Sequence, residues 1–161
     1  MRPDERVEFA LDSNLAVLFV VGVADRSAVS RHKRLAPRFS IEDFDILRHA
    51  LEGAARVVVP PHVLTETSNL ARQGAAADAR NLAEAFRFVV ESFDEVEVEA
   101  RQAVGVDDFQ RLGLTDCVLL VLGSRGATLL TVDEALYCAA LSKGYDAVNF
   151  ADLRAFGASR R

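Results

Sequence analysis

Cysteine is scarce in this 161-residue chain, and neither a basic excess nor a long apolar run is present. The two cysteines, Cys117 and Cys138, are too few for a disulfide framework, and both fall in apolar helical patterns. They read as buried thiols of a reducing cytosol and not as a zinc site. The longest apolar stretch, Leu15 to Ala24, is ten residues, about half of what a helix needs to cross a bilayer. The segment before it sets Asp4, Glu5, Glu8 and Asp12 against Arg2 and Arg6. The positive n-region of a secretory leader is therefore missing, and a soluble, cytoplasmic protein with no membrane partner is expected. Low-complexity runs, internal repeats and linkers are also lacking, which leaves one domain over residues 1–161. No H-E-x-x-H, G-x-S-x-G, phosphate-loop or dinucleotide fingerprint occurs, and His49 and His62 join no metal or catalytic spacing. With 19 Lys+Arg against 24 Asp+Glu the net charge is −5, which argues at first against a nucleic-acid partner. If four carboxylates are gathered in one site to hold cations, the rest of the chain is close to neutral.

What is present is an alternation of short β-like runs with helical patterns, the signature of an α/β fold with a mainly parallel sheet. Val7 to Leu11 reads as a first strand, and Asn14 to Val23 as a helix too apolar all round for a surface position. That helix is either sandwiched in the core or part of a subunit interface. Residues 24 to 40 read as a polar connection ending in the N-cap Ser40, followed by a helix to about Glu52. Arg56 to Val59 (RVVV) is a strand covered on both faces. Helices follow over Pro61 to Gln73 and Ala75 to Phe93, then an edge strand over Glu95 to Val98. Thr115 to Leu122, Ala127 to Thr131, Asp133 to Ser142 and Ala147 to Phe150 give helix, strand, helix and strand, with a short C-terminal helix after them. Gly123 and Gly126 mark a helix end and turn, and Tyr137 and Tyr145 read as boundary packing.

Ligands of an open parallel sheet bind outside the carboxyl ends of its strands. Asp12 directly follows the first strand, Asp133 lies just past the fourth, Asp116 opens the helix before that strand, and Glu66 sits near the start of the helix leaving the second. Four acids separated by 54, 50 and 17 residues would converge on one rim. Carboxylates crowded in this way cannot all ionise freely without cations. Mg²⁺ or Mn²⁺, which prefers oxygen ligands and keeps several waters, suits such a set. An ion of that kind lowers the pKa of a coordinated water and stabilises a phosphoryl transition state. The chemistry implied is phosphodiester hydrolysis without a protein nucleophile. Taken one at a time, Asp12, Asp116 and Asp133 are equally explained as helix caps, and Glu66 as a solvated helical glutamate. Only their joint placement carries the site.

The blocks LDSN at 11–14, VLTE at 63–66, GLTDCVLL at 113–120 and LLTVDEAL at 129–136 resemble, in order and context, the four acidic blocks of the PIN-domain nucleases. The likeness runs from about residue 7 to 150. It implies a three-layer α/β/α fold with a central mainly parallel sheet, and Mg²⁺- or Mn²⁺-dependent cleavage of RNA. By the same resemblance Asp12, Glu66, Asp116 and Asp133 are the catalytic metal-binding acids. Ser13 and Asn14 are near-site polar groups, and Thr131 orients the last carboxylate. Many stand-alone bacterial members of this size are toxins held inactive by a small antitoxin, so such a partner is implied as well. This chain departs from the toxins after Asp133, where Glu134, Ala135 and Leu136 follow, and in the length of its connection from Ala24 to Ser40.

Arg26, Arg31, Lys33, Arg34 and Arg38 place five cations in thirteen residues, with His32 among them. Such a run either grips RNA phosphates, with Arg31, Lys33 and Arg34 nearest the site, or is a solvated loop. Arg160 and Arg161 read as a frayed tail. The apolar helix, with Phe86, Val90 and Phe93, motivates a homodimer. The reading is a metal-dependent endoribonuclease, and the alternative is a non-catalytic PIN-like module that binds RNA or protein. A phosphoacceptor signalling domain fits less well, because Pro60 stands where its central aspartate would fall and Lys143 precedes the final strand.

Overall fold

The computed structural model describes residues 7–74 and 77–158. Strands β1 (Glu8–Leu11), β2 (Arg56–Val59), β3 (Asp94–Glu95), β4 (Thr128–Thr131) and β5 (Ala147–Asn149) form one sheet in the order β3-β2-β1-β4-β5. All four pairings are parallel. The helices are α1 (Ser13–Ala24), α2 (Ile41–Glu52), α3 (Pro61–Arg72), α4 (Ala79–Ser92), α5 (Ala100–Val104), α6 (Phe109–Leu112), α7 (Leu114–Ser124), α8 (Glu134–Ser142) and α9 (Phe150–Ala158). A 3₁₀ turn at Arg26–Ser30 lies between α1 and α2. The architecture is three-layer α/β/α, as the resemblance implies, around the parallel sheet that the sequence pattern predicts. The chain lays β2 and β3 on one side of β1 and then returns to lay β4 on the other. The gap between β1 and β4 at their carboxyl ends is thus a topological switch point.

Helix α1 explains its own composition. Nine of its twelve residues are buried, because it packs against α2, α3 and α4 at once. A helix apolar all round is a core helix, so this burial within the chain removes α1 as an argument for a subunit interface. At Gly22 an added Cβ would overlap the Phe44 ring of α2. Phe44 is itself 3% exposed and stacks at a tilt on Phe19, with centroids 6.1 Å apart, so admitting a methyl group requires the ring to shift. Gly22→Ala is expected to cost about 1–3 kcal/mol through this overpacking, despite alanine's better helix propensity. A urea midpoint equal to or above that of the wild type would contradict it.

Several boundaries differ from the sequence expectation. Helix α4 starts at Ala79, capped by the Asp78 carboxylate, and Ala75 and Ala76 lie outside the described residues. Strand β3 pairs only over Asp94–Glu95, and Val98 beyond it is buried without extending the strand. The connection after α1 is not a polar loop, since Ala28, Val29, His32, Leu35 and Phe39 are all buried. The predicted capping box at Ser40 and Asp43 is present. Cys117 is buried as expected, but Cys138 is exposed on α8, where its thiol faces Glu134 Oε1 at 3.4 Å. Arg160 and Arg161 lie outside the described residues.

Candidate metal centre

Asp12 is the best-anchored acid of the four. It is 3% exposed and both of its oxygens are held. Oδ1 accepts the Leu15 amide at 2.7 Å as the N-cap of α1. Oδ2 accepts the Thr131 hydroxyl and, at 2.9 Å, the Val132 amide. Asp12 N–H in turn donates to the Leu130 carbonyl at 3.1 Å, so this residue ties the end of β1 to the end of β4. Burial raises its carboxyl above the usual range, with a further push from Asp133, while the three hydrogen bonds oppose the rise.

Thr131 does not orient the last carboxylate in the way expected from sequence. Its hydroxyl donates to Asp12, the first acid, and its Oγ1 accepts the Asp133 amide at 2.9 Å. A hydroxyl at the end of β4 can donate one hydrogen bond and accept another, so it gives its proton to the Asp12 carboxylate and takes the Asp133 N–H. Asp133 is set instead by helix α8, which it caps through Oδ1 and the Leu136 amide at 2.9 Å. Thr131 is fully buried. Thr131→Val keeps its shape but removes its hydrogen bonds to Asp12 and Asp133, and is expected to cost about 1–3 kcal/mol. Denaturant unfolding with an unchanged midpoint would contradict this assignment.

Glu66 stands in the second turn of α3, and its Oε2 accepts the Ser13 hydroxyl at 2.7 Å across 53 residues of sequence. Asp116 differs from the others. The N-cap of its helix is Gly113, at φ 82°, and that helix has no side-chain cap. The capping explanation therefore holds for Asp12 and Asp133 and fails for Asp116. Its carboxyl is pushed up to about 7, first by burial and then by Asp133, Asp12 and Glu66 in that order. The four acids thus share one electrostatic neighbourhood, and Asp116 bears its cost.

As a set, these groups offer a hard divalent cation the right donors: oxygens only, from four carboxylates, with Asp116 making no hydrogen bond among the described residues. Their present spacing is wider than a closed shell. Among the described residues no three His, Cys, Asp or Glu side chains stand together as a metal-holding group.

Comparison with known proteins leaves the chain without a family. No family model matches the sequence, and no curated protein does. Among solved structures, a domain of a functionally unknown protein from Methanocaldococcus jannaschii DSM 2661 is similar at 16% identity and a TM-score of 0.45. The match covers 89% of this chain and 90% of that one.

The flank of the centre is built by the connection after α1. Arg34 donates to Asn14 Oδ1 at 3.3 Å, which brings one cation beside the acids. His32 holds this segment down: Nε2 meets the Ala71 carbonyl at 3.0 Å while Nδ1 accepts the Arg34 amide at 3.3 Å. Nε2 therefore carries the proton. The rest of the basic run divides. Arg26 pairs with Asp45 and Arg31 with Asp25, whereas Lys33 is exposed and has no ion pair among the described residues. Lys143, the candidate lysine of a phosphoacceptor site, is bound to Asp108 at 3.0 Å. One polar residue on the rim escaped the sequence reading. Asn149 ends β5 and donates to Glu134 Oε2 at 2.8 Å. The available signal was Asn149's place at the carboxyl end of a strand, one position short of the one that picks out Asp12. His62 sits beside Glu66, His49 is exposed on α2, and neither approaches a ligand set.

Proposed function

We propose that the chain is a Mg²⁺- or Mn²⁺-dependent endoribonuclease of the PIN type. The observation that carries this reading is the placement of Asp116 within electrostatic reach of Asp12, Glu66 and Asp133, acids of three other segments, at the carboxyl edge of a parallel sheet. The four sequence blocks in PIN order support it. Asp12, Glu66 and Asp116 would hold the principal ion, and Asp133 would complete the site. When bound, such an ion supplies an activated water and stabilises charge on a phosphoryl group. The chain's own contribution is positional: Thr131 and the Val132 amide fix Asp12, and Ser13 fixes one oxygen of Glu66. Arg34, anchored on Asn14, and the exposed Lys33 supply phosphate contacts on one flank. Arg31 contributes less, being paired with Asp25.

The partners in this reading are RNA, a small antitoxin and a second copy of the chain, and the compartment is the cytoplasm. No helix among the described residues is long and apolar enough to cross a membrane. With α1 accounted for inside the chain, the dimer rests on the exposed Val90 and the half-buried Phe86 and Phe93. Sedimentation showing only monomer at micromolar concentration would remove it. A second reading, a PIN-like module that binds RNA or protein without cutting, is favoured by the lack of a preformed three-ligand group among the described residues. Cleavage of total cellular RNA in Mn²⁺, Mg²⁺ and chelator, with new ends mapped by sequencing, separates the two. Metal-dependent ends absent from Asp116→Asn support the nuclease. No ends above the background of that variant would transfer the assignment to the binding module.

A further inference from the structure

An open depression of about 580 Å³ borders Glu66. Pro61, His62, Thr65 and Asn69 of α3 line it, and Thr115, the neighbour of Asp116, closes its far side. A second depression of about 360 Å³ shares Pro61, Thr65 and Asn69 with the first and runs on to Phe86 and Val90 of α4. The two form a continuous trough leading away from the acids. Neither is lined by lysine or arginine. A trough without cations, bounded at one end by Glu66 and at the other by Glu95, repels phosphate. It offers instead a carboxamide and three hydroxyls, those of Thr65, Ser68 and Thr115, beside apolar side chains, followed by an aromatic ring. That is the chemistry of a planar, neutral heterocycle with hydrogen-bonding edges. His62 completes it: its Nδ1 is buried and has no partner among the described residues, so polar contact with an occupant falls to Nε2.

From this lining, we infer that the trough is a nucleobase site, which reads one base of a single-stranded RNA next to the scissile phosphate and stacks the following base on Phe86. The inference rests on the nuclease reading for the identity of the strand, but not for the chemistry of the trough. Phosphates lie towards Arg34 and Lys33, where they position the strand. The base lies against Thr65 and Asn69, where its edge is read. Asn69 is exposed, so its carboxamide is free to meet a base edge through both of its atoms. A bidentate contact of that kind discriminates between bases by about 5- to 100-fold.

Uncharged nucleosides test the trough without a phosphate for the acids to repel. Each of the four is titrated into the metal-free protein in chelator while the His62 ring and Asn69 side-chain resonances are followed. Saturable shifts at both residues with at least one nucleoside, weakened about tenfold or more in Asn69→Leu, are expected. Both Thr65 and Asn69 are exposed, so Thr65→Val serves as a second variant whose fold is not at risk. No shift with any nucleoside up to about 20 mM would overturn the site, whether or not RNA is cut. In sequenced cleavage products, one flanking position should show a base enrichment that collapses towards parity in Asn69→Leu, whatever the overall rate of the variant. An unchanged pattern of flanking bases would also overturn it. Nucleoside binding without any cleavage by the wild type would remove the nuclease reading and leave the base site standing.

Discussion

Asp116→Asn is expected to lower Mn²⁺-supported RNA cleavage by about 100- to 1,000-fold, the loss typical of removing one group that stabilises developing charge. The residue is the right one to change because no structural duty competes with the proposed one. Asp12 joins β1 to β4 and caps α1, and Asp133 caps α8, so loss of either would confuse folding with catalysis. Asp116 caps nothing and makes no hydrogen bond among the described residues. The amide is isosteric, and it removes a carboxyl that the folded protein holds at a cost. Retained cleavage in Asp116→Asn, within about threefold of wild type, would sink the assignment of this acid to the centre.

The second large effect is on stability and runs opposite to the first. The Asp116 carboxyl lies near 3.8 in the unfolded chain and is pushed up to about 7 in the folded one. Below about pH 4 both states are protonated and the group contributes nothing. Between about pH 4 and 7 the unfolded state ionises while the folded state does not, so stability falls as pH rises through that window. Asp12, raised mainly by burial, acts in the same direction. Allowing for the solvent that still reaches Asp116, and about 2–4 °C per kcal/mol for a chain of this length, the metal-free protein should lose roughly 4–8 °C in Tm between pH 5 and pH 8 through this group. Asp116→Asn isolates that share, because the other titrating groups are common to both proteins. The variant should melt higher than wild type at pH 8 and nearly level with it at pH 4. Mn²⁺ at about a hundred times its dissociation constant should restore about 2.7 kcal/mol to the wild type at pH 8, and much less to the variant. A wild-type protein that melts no lower than Asp116→Asn in chelator at pH 8 would show that the acids do not strain one another.

The parts of this molecule legible in the sequence are those whose chemistry is local. RVVV reads as a doubly covered strand because β2 lies between β1 and β3, and its three valines are buried. The apolar α1 reads as buried, although only the packing of α2, α3 and α4 around it decides between core and interface. Helices α5 and α6, of five and four residues, are too short for a periodic pattern to reveal. The 24–40 connection misleads because its charges outnumber its buried residues, while Val29, Leu35 and Phe39 fix its course. At the candidate centre, a position directly after a strand is a one-dimensional fact, so Asp12 and Asp133 stand out. The target of the Thr131 hydroxyl is not. Residue 131 and residue 12 are 119 positions apart, and only the β1–β4 pairing makes them neighbours.

That pairing also sets when the acids meet during folding. β1 joins β2 across 48 positions but waits for residues 128–131 before β4 can dock, so its last partner arrives late. Asp133's share of the repulsion felt by Asp116 exists only once β4 has docked beside β1. Any folding transition state in which β4 is still undocked is blind to it. Neutralising Asp116, by substitution or by a cation, then leaves the folding rate unchanged and slows unfolding. A divalent ion would therefore act on this chain as a brake on its opening, setting the lifetime of the assembled sheet without guiding its formation.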